Sequence, residues 1–260
     1  MIIYPKAKIN LGLRVTEKRS DGFHNLESLF VDLPQLTDIL EIMERDRLSF
    51  SLYGAPLDCD PGQNICEKAY NMLSDDFGLP GAEIHLFKKI PTGAGLGGGS
   101  SDGACTLVLL NRLYNLGLDT PRLMEYAGRL GSDCSFFVMA HAEERSGYTT
   151  AMVKGRGDNP VPYRLEILDH FEIRVVNPGI FISTAEAYSG VVPNKPGISL
   201  EQVLSMPVKE WKDYLANDFE RHIFLKYPVL EKYKKQLYTE GALYASMSGS
   251  GSALYGIFDK

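Results

Sequence analysis

The stretch Pro91-Thr92-Gly93-Ala94-Gly95-Leu96-Gly97-Gly98-Gly99-Ser100-Ser101-Asp102-Gly103-Ala104 holds six glycines in fourteen residues. That is too large an entropic cost for filler between ordered elements. Upstream, Ala82, Ile84 and Leu86 alternate with Glu83 and His85, the period of a strand. Downstream, Ser100 or Ser101 serves as N-cap of a helix in which Leu107, Leu110 and Leu113 share a face, with Gly117 ending it. A glycine loop between strand and helix presents bare backbone N–H groups at the positive end of a helix dipole, which is how phosphate is cradled. A mobile linker would not lead so directly into a capped amphipathic helix.

Context separates the phosphate motifs that these letters spell. Gly93-x-Gly95-x-x-Gly98 matches the dinucleotide fingerprint, yet Leu118-Asp119-Thr120-Pro121 runs from one helix into the next, without the second strand that fingerprint needs. No Gly-Lys pair exists for a Walker A loop. Asp76-Phe77-Gly78 precedes the glycine loop and has no His-Arg-Asp partner, so it reads as a helix end rather than a protein-kinase metal motif. Arg156-Gly157-Asp158 resembles an adhesion tripeptide, which in a chain with no expected secretion signal reads as coincidence.

A chain of 260 residues with 44% hydrophobic and 23% charged residues suits one large or two small globular domains. A formal charge of −6 excludes non-specific nucleic-acid binding as an expectation. No apolar run reaches a membrane span and Met1-Ile2-Ile3-Tyr4-Pro5-Lys6 lacks a signal-peptide layout, so the expected setting is cytoplasmic. Cys59, Cys66, Cys105 and Cys134 lack CxxC spacing and read as free thiols; the five histidines form no zinc pattern, so no protein-held metal is expected.

Residues 7–15 alternate apolar and polar, which predicts a half-buried strand with Lys8 and Asn10 on its polar face. Ser20-Asp21-Gly22 marks a turn before Phe23 and His24. Further strands are expected over 26–32, 38–43 and 48–52, and a helix from Asn64 to Phe77. Thr120-Pro121 opens a helix that Gly131 closes, and Asp133 is read as lying between that helix and a buried strand, Phe136–Met139. Residues 143–162 lose periodicity and read as a crossing between two lobes. Beyond lie a strand over 172–176, a capping box at Ser183–Glu186 with Tyr188 early in its helix, several short helices, and two apolar runs joined by Ser248-Gly249-Ser250-Gly251-Ser252. A glycine loop supplies no acid–base chemistry, so a base or charge partner must come from elsewhere; the Lys8/Asn10 strand, Asp133 and the Ser248–Ser252 loop qualify by type.

Pro91-x-Gly93-x-Gly95-Leu96-Gly97-Gly98-Gly99-Ser100-Ser101 resembles the phosphate loop of the galactokinase, homoserine kinase, mevalonate kinase and phosphomevalonate kinase (GHMP) superfamily. Ser248-Gly249-Ser250-Gly251-Ser252-Ala253 is similar to its third motif. Pro5-Lys6-Ala7-Lys8-Ile9-Asn10-Leu11 and Asp21-Gly22-Phe23-His24-x-Leu26 resemble the branch that acts on a cytidine-diphosphate-linked methylerythritol in non-mevalonate isoprenoid synthesis. The resemblance implies an α+β, two-lobed fold: a β-rich N-terminal lobe over 1–155 carrying the loop, and a mainly helical α+β C-terminal lobe over 156–260. It implies an ATP-dependent kinase for the 2-hydroxyl of that substrate, with Mg2+ bound through the ATP phosphates. Lys8 and Asp133 match the catalytic pair, Asn10 a polar contact to phosphates or substrate, and Asn64 a position near adenine. Pro91, Thr92, Gly93, Ala94, Gly95, Leu96, Gly97, Gly98, Gly99, Ser100 and Ser101 match the ATP loop. Phe23 and Tyr188 match aromatics that sandwich the cytosine, and His24 a residue that recognises it. A monomer or weak homodimer is expected. Asp102-Gly103 replaces the commoner Asn-Ala, which puts a carboxylate near phosphate, and many members continue past the position of Lys260. Another small-molecule kinase of the superfamily, or a non-catalytic sugar- or nucleotide-binding member, is the competing expectation.

Overall fold

The computed structural model describes residues 1–56, 62–143, 147–195 and 197–260. Cys59 and residues 144–146 of the expected crossing lie outside the described residues. The chain runs β1 (Ile2–Ile3), β2 (Lys6–Lys18), β3 (His24–Thr37), β4 (Ile39–Glu44), β5 (Ser49–Gly54), α1 (Ile65–Phe77), β6 (Ala82–Lys88), α2 (Gly98–Leu113), α3 (Thr120–Leu130), α4 (Cys134–Ala142), β7 (Thr150–Gly155), β8 (Asn159–Pro162), β9 (Phe171–Val176), α5 (Thr184–Ser189), α6 (Leu200–Leu204), α7 (Trp211–Tyr214), α8 (Glu220–Lys226), α9 (Pro228–Thr239), β10 (Tyr244–Met247) and β11 (Leu254–Asp259).

Contacts divide this α+β chain into two units, Met1–Ala7, Leu33–Thr92 and Gly97–Ser146 in the first, and Lys8–Asp32, Gly93–Leu96 and Gly147–Lys260 in the second. The expected boundary near residue 155 follows the chain, whereas contacts group residues 8–32 and four residues of the glycine loop with the C-terminal part. In the first unit a sheet of order β1-β4-β6-β5 carries one parallel pair, β5 on β6. Against it packs α2, which also meets α1, α3 and α4. The second unit holds the antiparallel sheet β10-β11-β9, with α9 laid on β10 and β11. Its core gathers Leu13, Val15, Phe219, Ile223, Leu230, Leu237, Met247 and Leu254.

Local chemistry explains most boundaries. Asn64 caps α1 by accepting a hydrogen bond from the Cys66 N–H (2.8 Å), and left-handed Gly78 ends it. Asp119 caps α3 through the Arg122 N–H, with Pro121 in the first turn.

Four expectations are corrected. Phe136–Met139 is not a strand but the middle of α4, whose residues 134–140 are all buried. A short apolar run buried on every side has no periodicity to tell helix from strand. The helix after the glycine loop starts at Gly98 with Gly97 as N-cap, not with Ser100 or Ser101, because Gly97 takes a left-handed conformation (φ 70°) and turns the chain three residues ahead of Ser100. Strand β2 is buried on both faces from Ala7 to Val15, so Lys8 and Asn10 face protein rather than solvent. Finally, the aperiodic stretch after residue 147 contains the hairpin β7–β8, added antiparallel to β3.

Candidate active site

The second unit brings the first and third motifs onto the glycine loop. Three consecutive loop carbonyls are engaged: Ala94 O accepts from the Ala253 N–H (3.1 Å), Gly95 O from Ser248 Oγ (2.8 Å) and Leu96 O from the Lys8 N–H (2.8 Å). With these carbonyls tied to protein, the loop's backbone is held from one side. Gly95, at φ 75°, fits because a Cβ there would lie 2.0 Å from the Ser248 carbonyl oxygen. Gly93 is likewise left-handed, and the Phe181 ring lies 2.8 Å from where its Cβ would be.

Lys8 is almost fully buried. Its Nζ donates to Asn10 Oδ1 (2.6 Å), and its ammonium stands 4.4 Å from the centre of the Phe30 ring. Asn10 Nδ2 donates to Ser28 Oγ (3.0 Å), which donates to Gly12 O (2.6 Å). This chain of donors fixes the rotamers of both side chains, since a buried ammonium and amide must be paired. Tyr255 Oη donates to Asn10 O (2.8 Å), which fastens β11 to the same strand.

The expected base-binding residues also fall in this unit. Arg19 makes a two-pronged contact with Asp21 (3.1 and 3.0 Å), and Asp21 Oδ1 accepts from the Phe23 N–H (3.1 Å). That hydrogen-bonded guanidinium holds the Asp21 carboxyl below its ordinary range. The braced turn presents the Phe23 ring, 55% exposed, with the Arg156 guanidinium 4.5 Å from its centre. The imidazole of His24 stacks on Tyr188 (centroids 4.8 Å apart, 24° between planes), and Phe219 meets Tyr188 edge-on. Helix α5, which carries Tyr188, is capped by Ser183 and anchored where Glu186 pairs with Lys226 and accepts from Tyr227 Oη (2.9 Å).

In the first unit no side chain among the described residues caps the first turn of α2, which leaves leading N–H groups of the kind that bind anions. Helix α4 packs on α2, and Ser100 in that turn lies close enough to the buried Cys134 thiol to oppose part of the rise that burial causes. Asp133, the residue before Cys134, therefore begins α4 beside the start of α2, where Ser132 Oγ donates to its carboxylate (3.4 Å). Asn64 is buried at the start of α1, with Oδ1 committed to its cap.

Asp102 does not face the loop's ligand side. It is buried and accepts from Lys88 Nζ (2.7 Å), which also pairs with Asp38. Neither Lys88 nor Asp38 stands out in the sequence, because a partner 50 residues away leaves no local signal. Arg156 lies in a turn, a position that gives no hint in the sequence of the Phe23 ring it covers.

A profile of the GHMP kinases N terminal domain matches residues 64–141, and one of the GHMP kinases C terminal region matches residues 200–260. Those paired regions are the class that the fold and the glycine loop define. The 4-diphosphocytidyl-2-C-methyl-D-erythritol kinase of Bacteroides thetaiotaomicron is 46% identical over 264 residues, spanning 100% of this chain and 92% of that protein. Its namesake from Bacteroides fragilis is 45% identical over 262 residues, spanning 99% and 92%. A crystal structure of 4-(cytidine 5'-diphospho)-2C-methyl-D-erythritol kinase superposes with a TM-score of 0.82 at 31% identity, covering 99% of this chain and 90% of that one. The chain belongs to the family of 4-diphosphocytidyl-2-C-methyl-D-erythritol kinases, within the GHMP kinases.

Proposed function

We propose that the protein transfers the γ-phosphoryl group of ATP to the 2-hydroxyl of 4-diphosphocytidyl-2-C-methyl-D-erythritol, in isoprenoid precursor synthesis. The observation that carries this reading is the loop from Ala94 to Leu96, whose carbonyls are pinned by Lys8, Ser248 and Ala253. Residues 91–101 then hold the ATP phosphates through backbone N–H groups and the uncapped start of α2. The fit is supported by the left-handed glycines, which let backbone approach a phosphate without a side chain in the way. Asn64 lies near the adenine. Magnesium arriving with the ATP phosphates would supply positive charge to offset that of the triphosphate.

Asp133 accepts the proton of the attacking hydroxyl, and that oxygen bonds to the γ-phosphorus as the bond to the β-phosphate oxygen breaks. Lys8 stabilises the charge that spreads over the transferring group, and Asn10 orients phosphate or substrate. Phe23 and Tyr188 stack on the cytosine while His24 recognises its edge. Since His24 already stacks on Tyr188, a base lying between the two aromatics must displace it.

Phe23→Ala should raise KM for the cytidine-linked substrate roughly five- to 150-fold, from about 1–3 kcal/mol of lost stacking, and leave KM for ATP within about twofold. Equal effects on both constants would refute the base-binding role. The activity itself is tested by ADP release with the cytidine-linked methylerythritol against mevalonate, homoserine and galactose. The first should be turned over far faster than the others. A preference for mevalonate or homoserine would assign another chemistry to the same fold, and no release with any of them would indicate a non-catalytic binder.

A further inference from the structure

Beneath the glycine loop lies a group of charges that the proposed reaction does not use. Lys88, the last residue of β6, is 3% exposed, and Asp38 and Asp102 are 0% and 1% exposed. Lys88 Nζ pairs with both carboxylates, reaching Asp102 Oδ2 at 2.7 Å. The other oxygen of Asp38 accepts from the backbone N–H groups of Lys89 (2.5 Å) and Ile90 (2.9 Å). The ammonium also lies 3.2 Å from where a Cβ on Gly98 would stand. The cluster therefore ties the chain as it enters the loop, at Lys89 and Ile90, to the first turn of the helix that leaves it.

The charges do not cancel. Two carboxylates share one ammonium in a buried site, and Oδ1 of Asp102 has no hydrogen-bond partner among the described residues. An ionised, unpartnered carboxylate oxygen in such a place is costly. The thiols of Cys66 on α1 and Cys105 on α2 also lie close to it, and burial pushes both up, Cys105 to about 12, so they stay neutral and leave the balance of charge to Asp38, Lys88 and Asp102. Burial likewise pushes the Asp102 carboxyl up, to about 8, against the pull of Lys88.

We propose that Asp38, Lys88 and Asp102 form a proton-linked clasp under the nucleotide loop, in which Asp102 takes up a proton from solvent when the triphosphate binds. With Asp102 ionised the clasp carries one net negative charge behind the first turn of α2, opposing an anion at that helix start. With Asp102 protonated the clasp is neutral and the opposition is gone. The clasp rests on the ATP reading above. Asp102 is a positioning residue in it and touches no ligand.

The test is nucleotide binding by titration calorimetry in buffers of different ionisation heat, between about pH 7.5 and 9, above the second ionisation of a phosphate near 6. Wild type should take up a fraction of a proton per ATP and lose about fivefold in affinity across that range. Asp102→Asn should abolish both the uptake and the slope. A second readout needs no nucleotide. Because the folded value of Asp102 lies above its ordinary 3.8, the stability its protonated form contributes is complete below that value and is lost as pH rises towards 8. Relative to Asp102→Asn, wild type should therefore lose thermal stability between about pH 5 and 8. A wild-type affinity independent of pH with no proton uptake, or a slope that survives in Asp102→Asn, would overturn the clasp. If Asp102→Asn does not fold, proton uptake by wild type still decides. If ATP binds with proton uptake but no substrate is phosphorylated, the assigned reaction fails and the clasp stands.

Discussion

Asp133→Asn should lower kcat by about 10²–10⁴, the range attributable to a positioned general base, while the dissociation constant for ATP changes by less than about threefold. The asymmetry follows from the role. The carboxylate meets the hydroxyl only as its proton leaves, so its loss is felt in the transition state rather than in nucleotide binding. Asparagine keeps the size and can still accept from Ser132 Oγ, so α4 should keep its start. Its apolar residues, buried from Cys134 to Ala140, hold that helix in any case. Steady-state kinetics with calorimetric ATP binding separates the two quantities. Turnover within about threefold of wild type would remove Asp133 as the base.

Gly95→Ala should reduce ATP affinity by at least about 100-fold and lower the melting temperature, the second large effect. A methyl group at φ 75° costs about 1–2 kcal/mol in backbone strain alone. Here it would also stand 2.0 Å from the Ser248 carbonyl oxygen and 3.1 Å from the Gly251 nitrogen, both backbone atoms with no rotamer to yield. Relief requires the loop to move off its three carbonyl ties, which takes the amides out of register for phosphate. Gly99→Ala is the control for stability. Among the described residues nothing lies within 4 Å of where a Cβ would stand and the position is inside a helix, so the melting temperature should hold or rise. If Gly95→Ala melts like wild type and binds ATP normally, the loop is not held as described.

The clearest sequence readings were those in which one local force dominates. The helix up to Phe77 with its left-handed Gly78 stop, and the helix that Thr120-Pro121 opens and Gly131 closes, stand where the sequence puts them. Lys8 and Asn10 were correctly put on one face by the alternation of β2. That the face is interior depends on what packs over it, and the alternation carries no such information. Helix α4 and hairpin β7–β8 were missed for opposite reasons: one is apolar all round, the other glycine- and proline-rich. Asp102 looked like a carboxylate aimed at phosphate because the loop's neighbours are visible in sequence and the lysine beneath it is not. The His24–Tyr188 stack joins residues 164 positions apart, and only the family resemblance pointed to either.

The central claim is the transfer of one phosphoryl group to one hydroxyl of a cytidine-linked substrate. It is tested most directly by phosphorus NMR of a reaction with ATP and 4-diphosphocytidyl-2-C-methyl-D-erythritol. The account predicts one new phosphomonoester per ADP formed, coupled to carbon 2 of the methylerythritol, with the diphosphate bridge to cytidine intact. Inorganic phosphate as the sole product, or a phosphomonoester at any other hydroxyl, would contradict it.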